Sequence, residues 1–341
     1  MAISKFSEVD EYGFKRDESF KPQEYETFME EYLVILARRN KKWTGLMAKK
    51  QNGSLKLNRK VKRYIRKGIP SEHRAKVLMD LSGASALKNK AGSNYFASLL
   101  TEARDTTDID LIKVDLSRTF PNNIYFNSPG HHQSQLYNVL LAFSNQNTSV
   151  GYCQGLNYIA GILLLITKND ENSFWLLKTL VENKLPDYFS PTMMGALVDI
   201  DVFSELVKMK LPDVHKHLES KEFHWALIAT KWFVCCFAEV LPTETVLRIW
   251  DCLFCEGSKI LFRVGLTIVL ELRPALLSCD DLSDIMNCFK EIQTSSFVLS
   301  CHLFMQKVQK YSGSLPSSLI YRLRTEKRAL KMEEQKKSKH R

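Results

Sequence analysis

The sequence has few turn residues. Its 341 residues include only 14 Gly and 10 Pro, about 7% where average usage gives roughly 12%. An all-β chain needs a turn every 8–12 residues or so, so the scarcity predicts an all-α fold. No run of 18 or more predominantly apolar residues occurs, which excludes a membrane-spanning helix. The first residues, MAISKFSEVDEYGF, lack the basic start and apolar core of a signal peptide. The eight cysteines stand without regular spacing, mostly inside apolar runs, as buried free thiols do. These features predict a reduced, cytoplasmic protein, in which the Asn-x-Ser matches at Asn52 and Asn147 have no meaning as glycosylation sites.

Chemical motifs are missing as well. Without a Gly-x-x-x-x-Gly-Lys-Ser/Thr loop the chain is not itself a nucleotide hydrolase of the P-loop type. Without a Gly-x-Ser-x-Gly elbow it is not a serine hydrolase of that kind. Cys252-Leu-Phe-Cys255 has no second Cys or His pair at zinc spacing, and neither His131-His132 nor His215-Lys-His217 has carboxylates at ligand spacing. No metal and no cofactor of its own is expected.

Charge is present but unevenly placed. The net charge is +10, yet residues 38–67 alone carry thirteen Lys or Arg and no acid, and residues 322–341 carry nine bases against three acids. Together these exceed the whole, so the rest of the chain is acidic. A nucleic-acid-binding core would carry its basic patch on the folded domain, and no nucleic-acid partner is expected. Basic extensions favour solvated helix faces or peripheral contact with an anionic membrane surface. From Thr119 to Thr167 no Asp, Glu, Lys or Arg occurs. Its early part is rich in Asn, Gln, Ser and His, and charge depletion of this sort suits a surface that faces a partner.

Hydrophobic spacing predicts a series of helices. Ser71 caps one that runs through Arg74 to Met79. A second covers Asp108–Arg118 and is closed by Pro121, and a third covers Gln133–Asn145 with Leu136, Val139, Leu140 and Phe143 on one face. Another begins near Tyr152, with Leu156, Ile159, Ala160 and Leu163 continuing its stripe and Gln154 on the opposite side of the first turn. Thr243 caps a helix that Gly257 stops, and Ile260–Leu270 is apolar nearly all round. On spacing alone Asp115 and Arg118 form an i, i+3 surface ion pair.

In order along the chain, Gly68-Ile-Pro70 with Arg74, Ile112-x-x-Asp115-x-x-Arg118-Thr119 and Tyr152-x-Gln154-Gly155 resemble the TBC domain of Rab GTPase-activating proteins. The likeness continues through Tyr188-Phe-Ser-Pro-Thr-Met-Met-Gly195, Leu241-Pro-Thr-Glu244, Arg248-Ile-Trp-Asp251, Glu256-Gly257 and Leu261-Phe-Arg263, so it covers residues 67 to about 310. One departure is Leu78, where the family usually has Trp.

The resemblance implies one helical domain over 61–315, an N-terminal leader over 1–60 with its basic segment, and a basic tail over 316–341. It implies that Arg118 is an arginine finger and Gln154 a glutamine finger, with Asp115, Thr119, Tyr152, Gly155 and Arg74 in support. The fingers would enter the nucleotide site of a Rab-family small GTPase, which carries the GTP and magnesium. The chain would then be a GTPase activator in vesicle trafficking, cytoplasmic and peripheral on endomembranes. The alternatives are a non-catalytic scaffold that keeps this fold to bind a GTPase or effector, and a basic membrane-surface or nucleic-acid adaptor.

Overall fold

The computed structural model describes residues 8–16, 21–48, 55–102, 106–311 and 313–339. Among them helices dominate and no strand forms; two isolated bridges, Val9 with Lys15 and Phe14 with Asn123, are the only extended pairings. The all-α expectation holds. The chain divides into two compact units, Met1–Asn183 and Lys184–Arg341.

The first unit contains α1 (Pro22–Ala48), α2 (Arg59–Lys67), α3 (Ser71–Ser82), α4 (Ala84–Ala91), α5 (Tyr95–Thr101), α6 (Thr106–Arg118), α7 (His131–Gln146), α8 (Leu156–Thr167) and α9 (Asp170–Thr179). Its centre is the mutual packing of α7, α8 and α9. Leu136, Val139, Leu140 and Phe143 of α7 are buried, as are Leu156, Ile159, Ala160 and Leu163 of α8. Each fully buried large apolar side chain contributes about 1.5–3 kcal/mol, so the stripes read from spacing do fix these two helices. Leu78 is fully buried on α3, which packs against α8 and α9.

The second unit contains α10 (Met194–Lys210), α11 (Pro212–Ser220), α12 (Ala226–Val234), α13 (Thr243–Glu256), α14 (Lys259–Leu277), α15 (Leu282–Lys290), α16 (Ser296–Leu299), α17 (Cys301–Lys310) and α18 (Ser317–Lys339). Gly257 ends α13 as expected, with φ +91 and its N–H on the Leu253 carbonyl. The expected caps do not hold. Ser71 and Thr243 are the first helical residues, and prolines Pro70 and Pro242 occupy the cap positions, so no side chain caps either end. A proline's fixed φ suits the extended cap geometry, and its carbonyl still accepts the first bond, from His73 N at 3.0 Å and Val246 N at 3.0 Å.

Much of the basic C-terminal charge is used inside the second unit. Helix α18 lies along α10, burying Ile320 and Leu323. Its Arg324 makes a two-pronged pair with Asp199, 2.7 and 2.6 Å, and also donates to Ser258 at 2.8 Å. The same carboxylate accepts from the buried Tyr188 hydroxyl. Burial first and Asp199 second push the Tyr188 pKa well above its usual range, so it remains a donor. Lys327, Arg328 and Lys331 pair with Glu205, Asp187 and Asp201.

Asp199 is 1% exposed, so losing its cation leaves a buried charge uncompensated. For a fully buried pair that costs about 3–5 kcal/mol; the Arg324 side chain is 36% exposed, which places Arg324→Ala near the lower end, about 3 kcal/mol. Equilibrium urea unfolding of the full chain measures this, with Lys336→Ala, on the exposed end of α18, expected within about 0.5 kcal/mol of the parent.

Candidate functional site

The site lies in the first unit, where the C-terminus of α6 meets the turn that opens α8. Helix α6 buries Ile112 and Asp115 and exposes Leu111, Val114, Ser117 and Arg118. Beyond Arg118 the chain turns sharply, with Phe120 at φ +50 followed by Pro121. The Arg118 side chain is 49% exposed and pairs with an Asp115 side chain that is 4% exposed. The pair expected on the surface is therefore half buried: the carboxylate belongs to the interior, and only the guanidinium reaches out.

Asp115 holds a second group. The Tyr152 hydroxyl donates to its other oxygen at 2.5 Å. Burial, then the hydrogen bond to Asp115 and its negative charge, raise the Tyr152 pKa far above the usual value, so the phenol stays protonated and keeps donating. The Tyr152 N–H in turn donates to Asp108 Oδ2 at 3.0 Å. Gly151 has φ +61, and a Cβ there would lie 2.8 Å from the Asp108 carboxylate. That position needs glycine for both its backbone conformation and its space.

These contacts correct the reading of the α8 start. The helix begins at Leu156, and Tyr152–Gly155 form the turn before it. Gly155 takes φ +106, which breaks helical continuity, while Asp108 holds the Tyr152 backbone outside the helix. Gln154 is therefore exposed on a turn two residues from the anchored Tyr152, not in a first helical turn.

A second chain of hydrogen bonds ties the two segments. Asn157 donates to Thr119 Oγ1 at 2.8 Å and accepts from the Gly155 N–H at 3.0 Å. Thr119 Oγ1 passes the link on to the Asp115 carbonyl at 2.6 Å. Asn157 and Thr119 are both 0% exposed, where an unmade hydrogen bond is expensive. Asp115, Arg118, Thr119, Tyr152 and Gly155 thus share one network, with Gln154 between two of its members. Arg74 is buried on α3, 3% exposed.

Asn157 and Asp108 are the members that spacing did not single out. Asn157 shares a helical face with Ala160, Gly161 and Leu164, all interior. An amide on an apolar face was the available signal. Asp108 had none, because its partner lies 44 positions along the chain.

Residues 71–277 match the model of the Rab-GTPase-TBC domain. The chain belongs to this family. The matched stretch spans parts of both compact units. Among TBC relatives, the human growth hormone-regulated TBC protein 1 is 48% identical over 328 residues, covering 96% of each chain. The Xenopus laevis protein of the same name is 46% identical with the same coverage. The solved Chlamydomonas flagellar RabGAP TBC domain superposes with TM-score 0.78 at 31% identity, over 90% of this chain and 100% of that one. The Ypt/Rab-GAP domain of Gyp1p, 16% identical with TM-score 0.69, shares the fold.

Replacing Asn157 with Ala strands the Gly155 N–H and loosens Thr119, and unfolding free energy should fall by about 2–4 kcal/mol. Tyr152→Phe removes one hydrogen bond to a buried carboxylate and should cost about 1.5–3 kcal/mol. Urea titration of both variants, with unchanged m-values, checks these figures.

Proposed function

We propose that the chain accelerates GTP hydrolysis on a Rab-family small GTPase, with Arg118 and Gln154 entering the partner's nucleotide site in trans. The observation that carries this reading is one buried carboxylate, that of Asp115. It holds the guanidinium of Arg118 directly and, through Tyr152, anchors the turn that bears Gln154. Two exposed polar side chains from distant parts of the sequence are thereby supported by one rigid group.

The chemistry follows from the side-chain types. Arg118 is always protonated, has five N–H donors in a planar fork, and spends only some of them on Asp115. The exposed remainder would stabilise charge building on the transferring phosphoryl group. Gln154 can donate and accept at once, which suits it to hold an attacking water in line. GTP and magnesium come with the GTPase. Membership of the family and the presence of both fingers favour this reading over a scaffold that only binds.

The experiment is single-turnover GTP hydrolysis with a panel of Rab proteins. Arg118→Ala and Arg118→Lys should lose about 10³–10⁵ in stimulated rate, about 4–7 kcal/mol of barrier, while GTPase binding persists. Near-normal stimulation by a folded Lys variant would overturn the finger assignment. Gln154→Ala should cripple stimulation as well; retention would mean that the GTPase positions its own water. Binding without stimulation by the parent chain would establish the scaffold.

Peripheral contact with endomembranes from the cytoplasmic side, in the course of vesicle trafficking, is the second part of the proposal. Its support is the arrangement of α2. At about 100° per residue the cations Arg59, Lys60, Lys62, Arg63, Arg66 and Lys67 span roughly 160° of that helix, opposite the buried Val61 and Ile65. Desolvation first, then the like charges Arg63, Lys42 and Arg39, lower the Lys67 pKa, so cations of α1 and α2 crowd one region. Sedimentation with phosphatidylserine vesicles should show binding that 0.5 M salt abolishes and Arg63→Glu with Lys67→Glu weakens by about tenfold or more. Binding equal to that on neutral vesicles would refute it.

A further inference from the structure

The N-terminal leader is stitched to the segment that follows the finger arginine. Lys15 N–H donates to the Asn122 carbonyl at 2.8 Å, and Ile124 N–H donates to the Gly13 carbonyl at 2.8 Å. The Asn123 side chain, 0% exposed, donates to the Tyr12 carbonyl at 2.9 Å. The leader's own shape is set by Asp10, whose Oδ1 accepts the N–H groups of Tyr12 and Phe14, each at 2.9 Å. Gly13 at φ +85 lies so close to Tyr125 that a Cβ would sit 2.6 Å from the ring. A backbone turn more than a hundred positions away in sequence is thus locked onto residues 122–125.

A ring contact carries this lock toward the finger. Phe14 meets Phe120 edge to face at 5.2 Å, two residues after Arg118. Phe120 is also held by Phe126 at 6.1 Å and Tyr158 at 5.3 Å. It fits over Gly161, where a Cβ would come within 2.9 Å of the ring. Tyr158 in turn donates to the Arg118 carbonyl at 3.4 Å. The backbone leaving Arg118 is therefore gripped from one side by α8 and from the other by the leader. Residues 8–16 lie outside the 71–277 stretch that the family model matches, so the leader half of this brace comes from beyond the matched domain.

We infer that residues 8–16 are a positioning element for Arg118, with Phe14 as its key side chain, so that the leader sets the rate of the stimulated reaction without touching the GTPase. The inference rests on the proposed function for its kinetic consequence and on geometry alone for the brace. An edge-to-face ring pair is favoured beyond the area it buries, which biases the helix end, and small misplacements of a catalytic group have large effects on rate.

The test uses the full chain with Phe14→Ala and the milder Phe14→Leu. Hydrogen exchange should show faster exchange of amides in 119–126 for Phe14→Ala, with peptides from α13 and α14 unchanged. In single-turnover assays the maximal stimulated rate should fall about tenfold, the GTPase concentration for half-maximal rate should stay within about twofold, and Phe14→Leu should recover part of the loss. In an Arg118→Lys background the Phe14→Ala change should have little further effect, because residues acting through one group are not additive. Equal losses in both backgrounds, an unchanged rate, or a rise in half-maximal concentration alone would overturn the positioning role. Unchanged exchange over 119–126 would overturn the brace itself. If the parent chain stimulates no GTPase, the exchange result still decides the brace, and the proposed function is what fails.

Discussion

A carboxylate withdrawn from water has to be satisfied on every side, and the site depends on how Asp115 meets that demand. One oxygen takes the Tyr152 hydroxyl and the other takes the Arg118 guanidinium. Neither partner can leave cheaply, because a buried charge without its hydrogen bonds costs several kcal/mol. The burial therefore does two things together. It fixes the phenol that anchors one turn, and it orients a cation whose outer half stays in solvent.

The second unit uses the same device for another purpose. Asp199 is likewise buried and shared between a tyrosine hydroxyl, Tyr188, and an arginine, Arg324. There the arginine makes both prongs to the carboxylate and a further bond to Ser258, and its helix is held along α10. Its Nε and Nη2 donors are spent within the fold. Among the described residues Arg118 pairs with Asp115 alone, at the end of its helix, with half its side chain open. The difference between a structural and a presented arginine lies in how many donors the interior consumes.

The same accounting separates the two basic segments. Four cations of α18, from Arg324 to Lys331, pair with acids of the second unit, so much of what reads as a charged tail is a docked helix. On α2 the apolar residues face inward and the basic ones outward. Charge counts in the sequence were equal in kind. Only packing showed which basic helix turns its cations onto acids of its own unit and which turns them away from its buried apolar side.

Periodicity settled a good deal without any coordinates. The stripes of α7 and α8 and the glycine stop of α13 follow from local rules, since a helix needs only neighbours three and four residues away to define its buried face. Asp115, Arg118, Tyr152 and Gln154 could be picked out through ordered motifs. What spacing could not supply was any contact between residues far apart in the chain. Asp115 was expected in solvent and is interior; Gln154 was expected on a helix and stands on a turn; Asp108 and the leader's grip on Phe120 gave no local sign. Helices come from local sequence, but the burial of a charge is a property of what folds over it, and that belongs to tertiary structure alone.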